Sequence, residues 1–254
     1  MKPLRTAAVL GAGALGSALV DELPAAGVRV IASWTRSSGL DPPPVRDADA
    51  VLLAVSDVAV APLCARLDVG HGQLVAHLAG ALPLEALESA RRRGARVGSL
   101  HPLRAFVAGR GGDFHGAAAA IAGSNAAARW QLADLARRLG MLPLAVDDGD
   151  RALYHAAAVL AAGGQVALFA EAVRAFRKAT RSSEETARGA LLPLALGSLE
   201  KLRAASAELV LTGPAVRGDM ATIRAHRKAL PKDLLSLYDA LTRVSLELAR
   251  KGRR

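Results

Sequence analysis

The stretch AVLGAGALGSALV, residues 8–20, constrains the fold of this chain more than any other. Gly11, Gly13 and Gly16 stand in the spacing G-x-G-x-x-G. A short apolar run, TAAVL at 6–10, precedes them, and a helical run at 14–25 follows, closed by Gly27. VRVIAS at 28–33 then alternates and is β-branched, so the pattern is strand, helix, strand. In such a unit the first glycine permits the turn, the second lets a pyrophosphate approach the backbone, and the third lets helix and strand pack closely. The free N–H groups of the helix start complete an anion site. Gly11, Ala12, Gly13, Ala14, Leu15 and Gly16 are therefore candidate dinucleotide contacts, together with Val55 and Ser56 after the third strand.

The end of the second strand selects among dinucleotides. An acidic residue there would accept bonds from both ribose hydroxyls of NAD and repel a 2′-phosphate. The chain reads WTRSS at 34–38 and carries no acid. The guanidinium of Arg36 would pair with a phosphate, and Thr35, Ser37 and Ser38 would add hydroxyl donors. The expected cofactor is NADP.

Further strand-like runs fall at 50–55, 73–77, 96–100, 117–122 and 142–146, with helical stretches at 58–67, 83–93 and 125–140. Strands alternating with helices predict an α/β domain with a mostly parallel sheet. Three consecutive prolines in SSGLDPPPVRDAD exclude a helix from the crossover near 37–49. Beyond DDGD at 147–150 only helical runs follow, at 151–178, 183–204, 219–229 and 231–250. The expected organisation is a dinucleotide-binding domain at 1–148 and an all-α domain at 149–254.

Charge separates the two parts. Residues 1–150 hold 15 Lys+Arg against 14 Asp+Glu, and residues 151–254 hold 18 against 9. The basic surplus would serve a small anionic substrate, a nucleic acid, or nothing but solubility. Aromatic residues are 3% of the chain, too few for a stacking platform, so nucleic acid is not an expected partner. One cysteine, Cys64, cannot staple the fold and fits a reducing cytoplasm. The uncharged run 152–170 is long enough to touch both faces of a bilayer, but it holds Tyr154, His155, Gln165 and two glycines. It reads as a buried helix, with no membrane partner.

Taken together, AVLGAGALG, VLLAVSD (51–57), GSLHPLRAF (98–106), LYHAAAVLAA (153–162) and LTGPAVRGD (211–219) resemble one family across nearly the whole chain. It is the uncharacterised group of oxidoreductases with a Rossmann-like N-terminal domain and a helical C-terminal domain of unknown function. The group is similar to pyrroline-5-carboxylate reductase, ketopantoate reductase and the 6-phosphogluconate dehydrogenase-like superfamily. The resemblance implies NADP binding and a homodimer through the helical domain, and it makes ketopantoate one candidate substrate. It does not fix the reaction. The chain has Gly163 and Gly164 where family members carry an asparagine, and it lacks the superfamily's lysine and asparagine on the first long helix. Lys178 lies about six turns beyond His155 and is too distant to replace them.

A reductase needs a donor to the carbonyl or imine and a cation for a carboxylate, in a site beyond the carboxyl ends of the strands. His101 follows the strand RVGSL directly, and His155 opens the first helix of the second domain; either is a candidate proton donor. Thr212, Arg217 and Asp219 lie in a Gly-Pro-rich loop expected to be irregular, with Arg217 the candidate carboxylate partner. No Ser-His-Asp order, HExxH or Cys/His cluster is present, so metal and hydrolase chemistry have no support. The expected function is an NADP-dependent reductase of a small keto or imino acid. A non-catalytic NADP sensor on the same scaffold is the rival reading.

Overall fold

The computed structural model describes residues 1–39, 41–106 and 112–252; the side chain of Arg36 lies outside this description. The chain divides into two compact units, Met1–Leu160 and Ala161–Arg254.

The first unit is built on seven strands: β1 (Thr6–Leu10), β2 (Arg29–Trp34), β3 (Ala50–Leu53), β4 (Leu74–His77), β5 (Arg96–Pro102), β6 (Ala118–Gly123) and β7 (Leu142–Ala145). They form one sheet in the order β2-β1-β3-β4-β5-β6-β7. Every pairing is parallel except β5 with β6. The helices are α1 (Ala14–Glu22), α2 (Asp57–Arg66), α3 (Glu88–Arg92), α4 (Ala126–Arg138) and α5 (Arg151–Ala161). The predicted crossover without a helix is realised by a single 3₁₀ turn at Arg36–Ser38.

The central strands are mostly apolar because both sheet faces are covered. Ala7, Val9, Leu52 and Leu74 pack with Leu19 of α1 and Leu132 of α4 on one side. Ala8, Leu10, Val51 and Val75 pack with Val60 and Leu63 of α2 and Leu87 on the other. The parallel register sets Leu10 beside Leu53, Leu53 beside His77, and His77 beside Ser99. The carboxyl ends of β1, β3, β4 and β5 thus form one edge. Because β1 is flanked by β2 and β3, the strand order reverses there, which is where open α/β sheets bind ligands.

The second unit holds α6 (Gly163–Thr180), α7 (Glu184–Glu200), α8 (Ala207–Val210), α9 (Pro214–Arg217), α10 (Met220–Ala229) and α11 (Leu235–Lys251). The single helix expected over 151–178 is broken at Ala162, whose backbone (φ −116°, ψ −82°) leaves the helical region ahead of Gly163 and Gly164. The division between units falls after Leu160 rather than in the DDGD turn, since the first turns of α5 carry side chains into a cluster on the sheet edge. The expectation of a buried helix over 152–170 is overturned. Leu153, Leu160 and Val166 are each at least 70% exposed in the single chain. The interior of the helical unit is correspondingly slight, built from Val173, Ala187, Ala215, Ile223, Leu234 and Ala249 among the described residues. One helical stretch, Asp148–Thr180, is long and apolar enough to cross a membrane by length and composition.

Candidate active site

The glycine turn at the end of β1 has three different jobs at its three glycines. Gly11 has φ +121°, a conformation that L side chains rarely adopt, and a Cβ there would collide with the backbone carbonyl of Ala54. A Cβ on buried Gly16 would collide with the carbonyl of Gly11. These two glycines are required by the fold itself. Gly13, the N-cap of α1, has ordinary backbone angles (φ −64°, ψ 177°) and no heavy atom within 4 Å of where its Cβ would be. Its missing side chain faces open space, and no side chain caps the helix. The orphan N–H groups of the first turn are left to a ligand.

That open space belongs to a cavity of about 480 Å³ lined by Gly11, Gly13, Trp34, Thr35, Val55 and Arg66, among others. Ser56 is exposed at the N-cap of α2. Ala12, Ala14 and Leu15 are at least partly exposed along the turn. Thr35 shares its hydroxyl with Ser37 at 2.5 Å and with Ser38 at 3.1 Å, so the three hydroxyls form one tight group at the end of β2. Arg36 lies in the same 3₁₀ turn, but its side chain is outside the described residues. Arg66, at the end of α2, bonds Asp41 at 2.7 Å and brings a further guanidinium to the cavity wall. No carboxylate is among the residues lining this cavity. The arrangement is one for phosphate-rich anions.

A second polar group lies on the same sheet edge, at the ends of β4 and β5. His101 is half-buried, and its Nδ1 lies 2.8 Å from the hydroxyl of Tyr154. The rings of His101 and His155 meet edge to face, with centroids 5.7 Å apart. Gly80, in the loop after β4, makes this possible, because a Cβ there would run into Nδ1 of His155 and come within 3.1 Å of Cε1 of His101. Beneath them His77 is fully buried, and among the described residues neither ring nitrogen has a hydrogen-bond partner of good geometry. Arg151 is 1% exposed and donates Nη2–H to the carbonyl of Ala79 at 2.6 Å. Its Nε and Nη1 have no hydrogen-bond partner among the described residues.

Electrostatics fix the protonation states. Burial, then the charge of Arg151 and the neighbouring His101, hold His77 down to about 3, against a weak opposite pull from the carbonyls of Pro83 and Ala79. Burial, then His155 and Arg151, hold His101 down to about 4, with Asp57 at the start of α2 pulling the other way. Both imidazoles are neutral at pH 7. Burial raises the Tyr154 phenol, and Arg151 opposes that rise. Arg151 is thus the fixed cation of a cluster of neutral donors and acceptors.

The structure brings His101 and His155, the two candidate proton donors, into ring contact. It adds Tyr154, which reads from the sequence as a packing residue, and His77, Gly80 and Arg151, which the sequence does not single out. One signal was available: Arg151 is the charged residue that opens an otherwise uncharged run. Thr212, Arg217 and Asp219 belong to the helical unit. The segment expected to be wholly irregular contains the helical turn α9, which ends at Gly218 in the left-handed region. Asp219 is the N-cap of α10 and accepts from both the backbone N–H and the hydroxyl of Thr222, bonds that hold its carboxyl below the usual range. Its carboxylate is committed to helix capping. Thr212 and Arg217 are exposed.

Residues 117–244 match the family described as Domain of unknown function (DUF2520). The chain belongs to that family. The DUF2520 chain is similar in structure to a Bacteroides fragilis protein described as an NADP oxidoreductase, with 23% identity, a TM-score of 0.77, and 96% of this chain and 98% of that one covered. It is also similar to protein TM1727 of Thermotoga maritima, with 20% identity, a TM-score of 0.75, and coverage of 98% and 100%. A third likeness is to the Plasmodium falciparum pyrroline carboxylate reductase solved with NADP bound, with 12% identity, a TM-score of 0.60, and coverage of 99% and 98%. No curated protein matches this DUF2520 chain by sequence.

Proposed function

We propose that the chain is an NADP-dependent reductase of a small keto or imino acid. One observation carries the reading. The glycine turn and the polar cluster lie on the same carboxyl edge of one sheet, so an anion cradle and a set of neutral proton-handling groups share a face. The chain's residues fit the dinucleotide. Gly13 and the first turn of α1 would hold the pyrophosphate, and Thr35, Ser37 and Ser38 would receive the 2′-phosphate with Arg36 and Arg66. The cofactor would supply hydride. His101 would hold a proton for the substrate, and His155 and Gly80 would keep its ring in place. The solved relatives that carry NADP or are described as NADP oxidoreductases support this choice. Ketopantoate remains one candidate substrate on resemblance alone.

The test is consumption of NADPH with a panel of 2-keto acids and cyclic imines, beside calorimetric binding of NADPH and NADH. NADPH should bind at least ~10-fold more tightly, since one good phosphate contact contributes about 1.4 kcal/mol or more. Arg36→Asp should reverse the order. Equal affinities in the wild type would remove NADP from the reading. Tight binding without turnover on any carbonyl or imine would favour a cofactor sensor instead.

The same reading includes a homodimer in a reducing cytoplasm. Leu192, Leu194, Leu196 and Leu199 of α7 and Val166 of α6 are between 44% and 71% exposed, apolar side chains that a second copy would cover. Light scattering at micromolar concentration should give twice the mass of the chain, and Leu194→Glu with Leu196→Glu should halve it. A wild-type mass of one chain would contradict the dimer.

A further inference from the structure

His101 alone is a poor proton source. It is neutral at pH 7, and a neutral imidazole gives up its remaining proton with great difficulty. Its Nδ1 is already engaged with the Tyr154 hydroxyl, and no hydrogen bond engages Nε2 among the described residues. Tyr154 stands one helical turn after Arg151 on α5, so the phenol and the buried guanidinium occupy the same face of that helix. The Tyr154 hydroxyl lies 2.8 Å from Nδ1 of His101, and the charge of Arg151 acts on the phenol.

We propose that Tyr154 and His101 act as a two-step proton relay, with Arg151 the fixed cation that receives the resulting phenolate, and that the substrate carbon they serve is a carbonyl. The proposal rests on the reductase reading above. The phenol O–H donates to Nδ1, which makes His101 the Nε2–H tautomer. When hydride from a reduced nicotinamide dinucleotide forms the new C–H bond, the carbonyl π pair becomes an oxygen lone pair. That oxygen takes the Nε2 proton, and Nδ1 takes the Tyr154 proton. The imidazole ends neutral in its other tautomer, and the phenolate lies beside Arg151 until water returns a proton. The proton consumed is tyrosine's, which is far more acidic than that of a neutral imidazole. An iminium needs no proton at the moment of reduction, so a relay of this kind favours keto over imino substrates.

The relay predicts that His101 in the wild type shows, by nitrogen NMR of its ring, an unprotonated Nδ1 and a protonated Nε2. Tyr154→Phe keeps the ring and its packing, and should leave the melting temperature and NADPH affinity near wild type while mixing the two tautomers. With a reducible 2-keto acid, Tyr154→Phe should lower kcat by about 100-fold or more with little change in KM. The proton inventory in mixed H₂O and D₂O should change from two protons in flight to one. In a spectrophotometric titration, Arg151→Gln should raise the Tyr154 phenol further. A protonated Nδ1 in the wild type overturns the relay by itself, with or without turnover. Full activity of Tyr154→Phe on a 2-keto acid overturns the relay while the reductase reading stands. Absence of turnover on every carbonyl and imine overturns the reductase reading and the relay with it.

Discussion

Lowering the pH from 7 to 4.5 should destabilise the folded chain by roughly 4 kcal/mol, a large share of the stability an ordinary domain has. The cause is the pair of imidazoles on the sheet edge. In the unfolded chain a histidine titrates near 6.5, whereas folded His77 titrates at about 3 and His101 at about 4. Between those values and 6.5 the unfolded state holds protons that the folded state refuses. Stability therefore rises with pH across this window, is fully present above about 7, and is lost as pH falls towards 4. Each excluded proton costs about 1.4 kcal/mol per pH unit once the pH is well inside the window. Fully buried His77 carries the larger part, about 2.5 kcal/mol, and the contribution of half-exposed His101 is reduced by solvent screening. Paired carboxylates such as Asp49 and Asp219 have lowered values and lose their contribution only as pH falls further. Urea unfolding at intervals between pH 7 and 4.5 measures the slope. His77→Asn, which cannot titrate, should remove more than half of it. A wild-type midpoint that stays level across this range would show that the two imidazoles are not shielded as described.

Those two histidines also show what sequence can and cannot reveal. Strands are legible here because apolar runs such as AVLL and LVAH are bounded by turn residues, and the glycine spacing marks the one turn that must approach a ligand. His101 was legible because it closes the apolar run RVGSL, and it lies at the carboxyl end of β5. His77 ends an equally clear strand, yet nothing local distinguishes a buried imidazole from an exposed one. Its environment is set by Arg151, 74 positions later, folding back over the loop after β4. Gly80 is silent in sequence for the same reason, since its need for a missing side chain arises from His155 on a distant helix. The helical unit misled in the opposite direction. Apolar content predicts burial only when a surface exists to bury against, and the single chain leaves α5, α6 and α7 with much of theirs exposed. At 212–219 a polar loop residue reads alike whether it binds or caps, and the carboxylate of Asp219 caps α10.

Gly11→Val and Gly13→Val should fail in different ways, although both remove a glycine from one motif. At Gly11 the new side chain meets the carbonyl of Ala54 in a backbone conformation (φ +121°) that valine strongly disfavours. Neither neighbour can give way, since Ala54 continues β3 and its N–H is bonded to the carbonyl of Leu10 at 2.7 Å. Overpacking and backbone strain together should cost about 3–5 kcal/mol, enough to unfold much of the population. At Gly13 the backbone angles suit any residue and the Cβ enters open space, so stability should change by about 1 kcal/mol at most, the cost of a poor N-cap. The valine would instead fill the space in front of the α1 N–H groups and keep a pyrophosphate from reaching them. NADPH affinity should fall by about 100-fold or more, close to 2.7 kcal/mol. Trp34 lines the same cavity, so energy transfer from its indole to bound NADPH reports occupancy while urea unfolding reports stability. Gly11→Val folding as stably as the wild type would refute the assignment of that glycine to the fold. Gly13→Val binding NADPH normally would move the pyrophosphate away from this turn, and the proposed cofactor site with it.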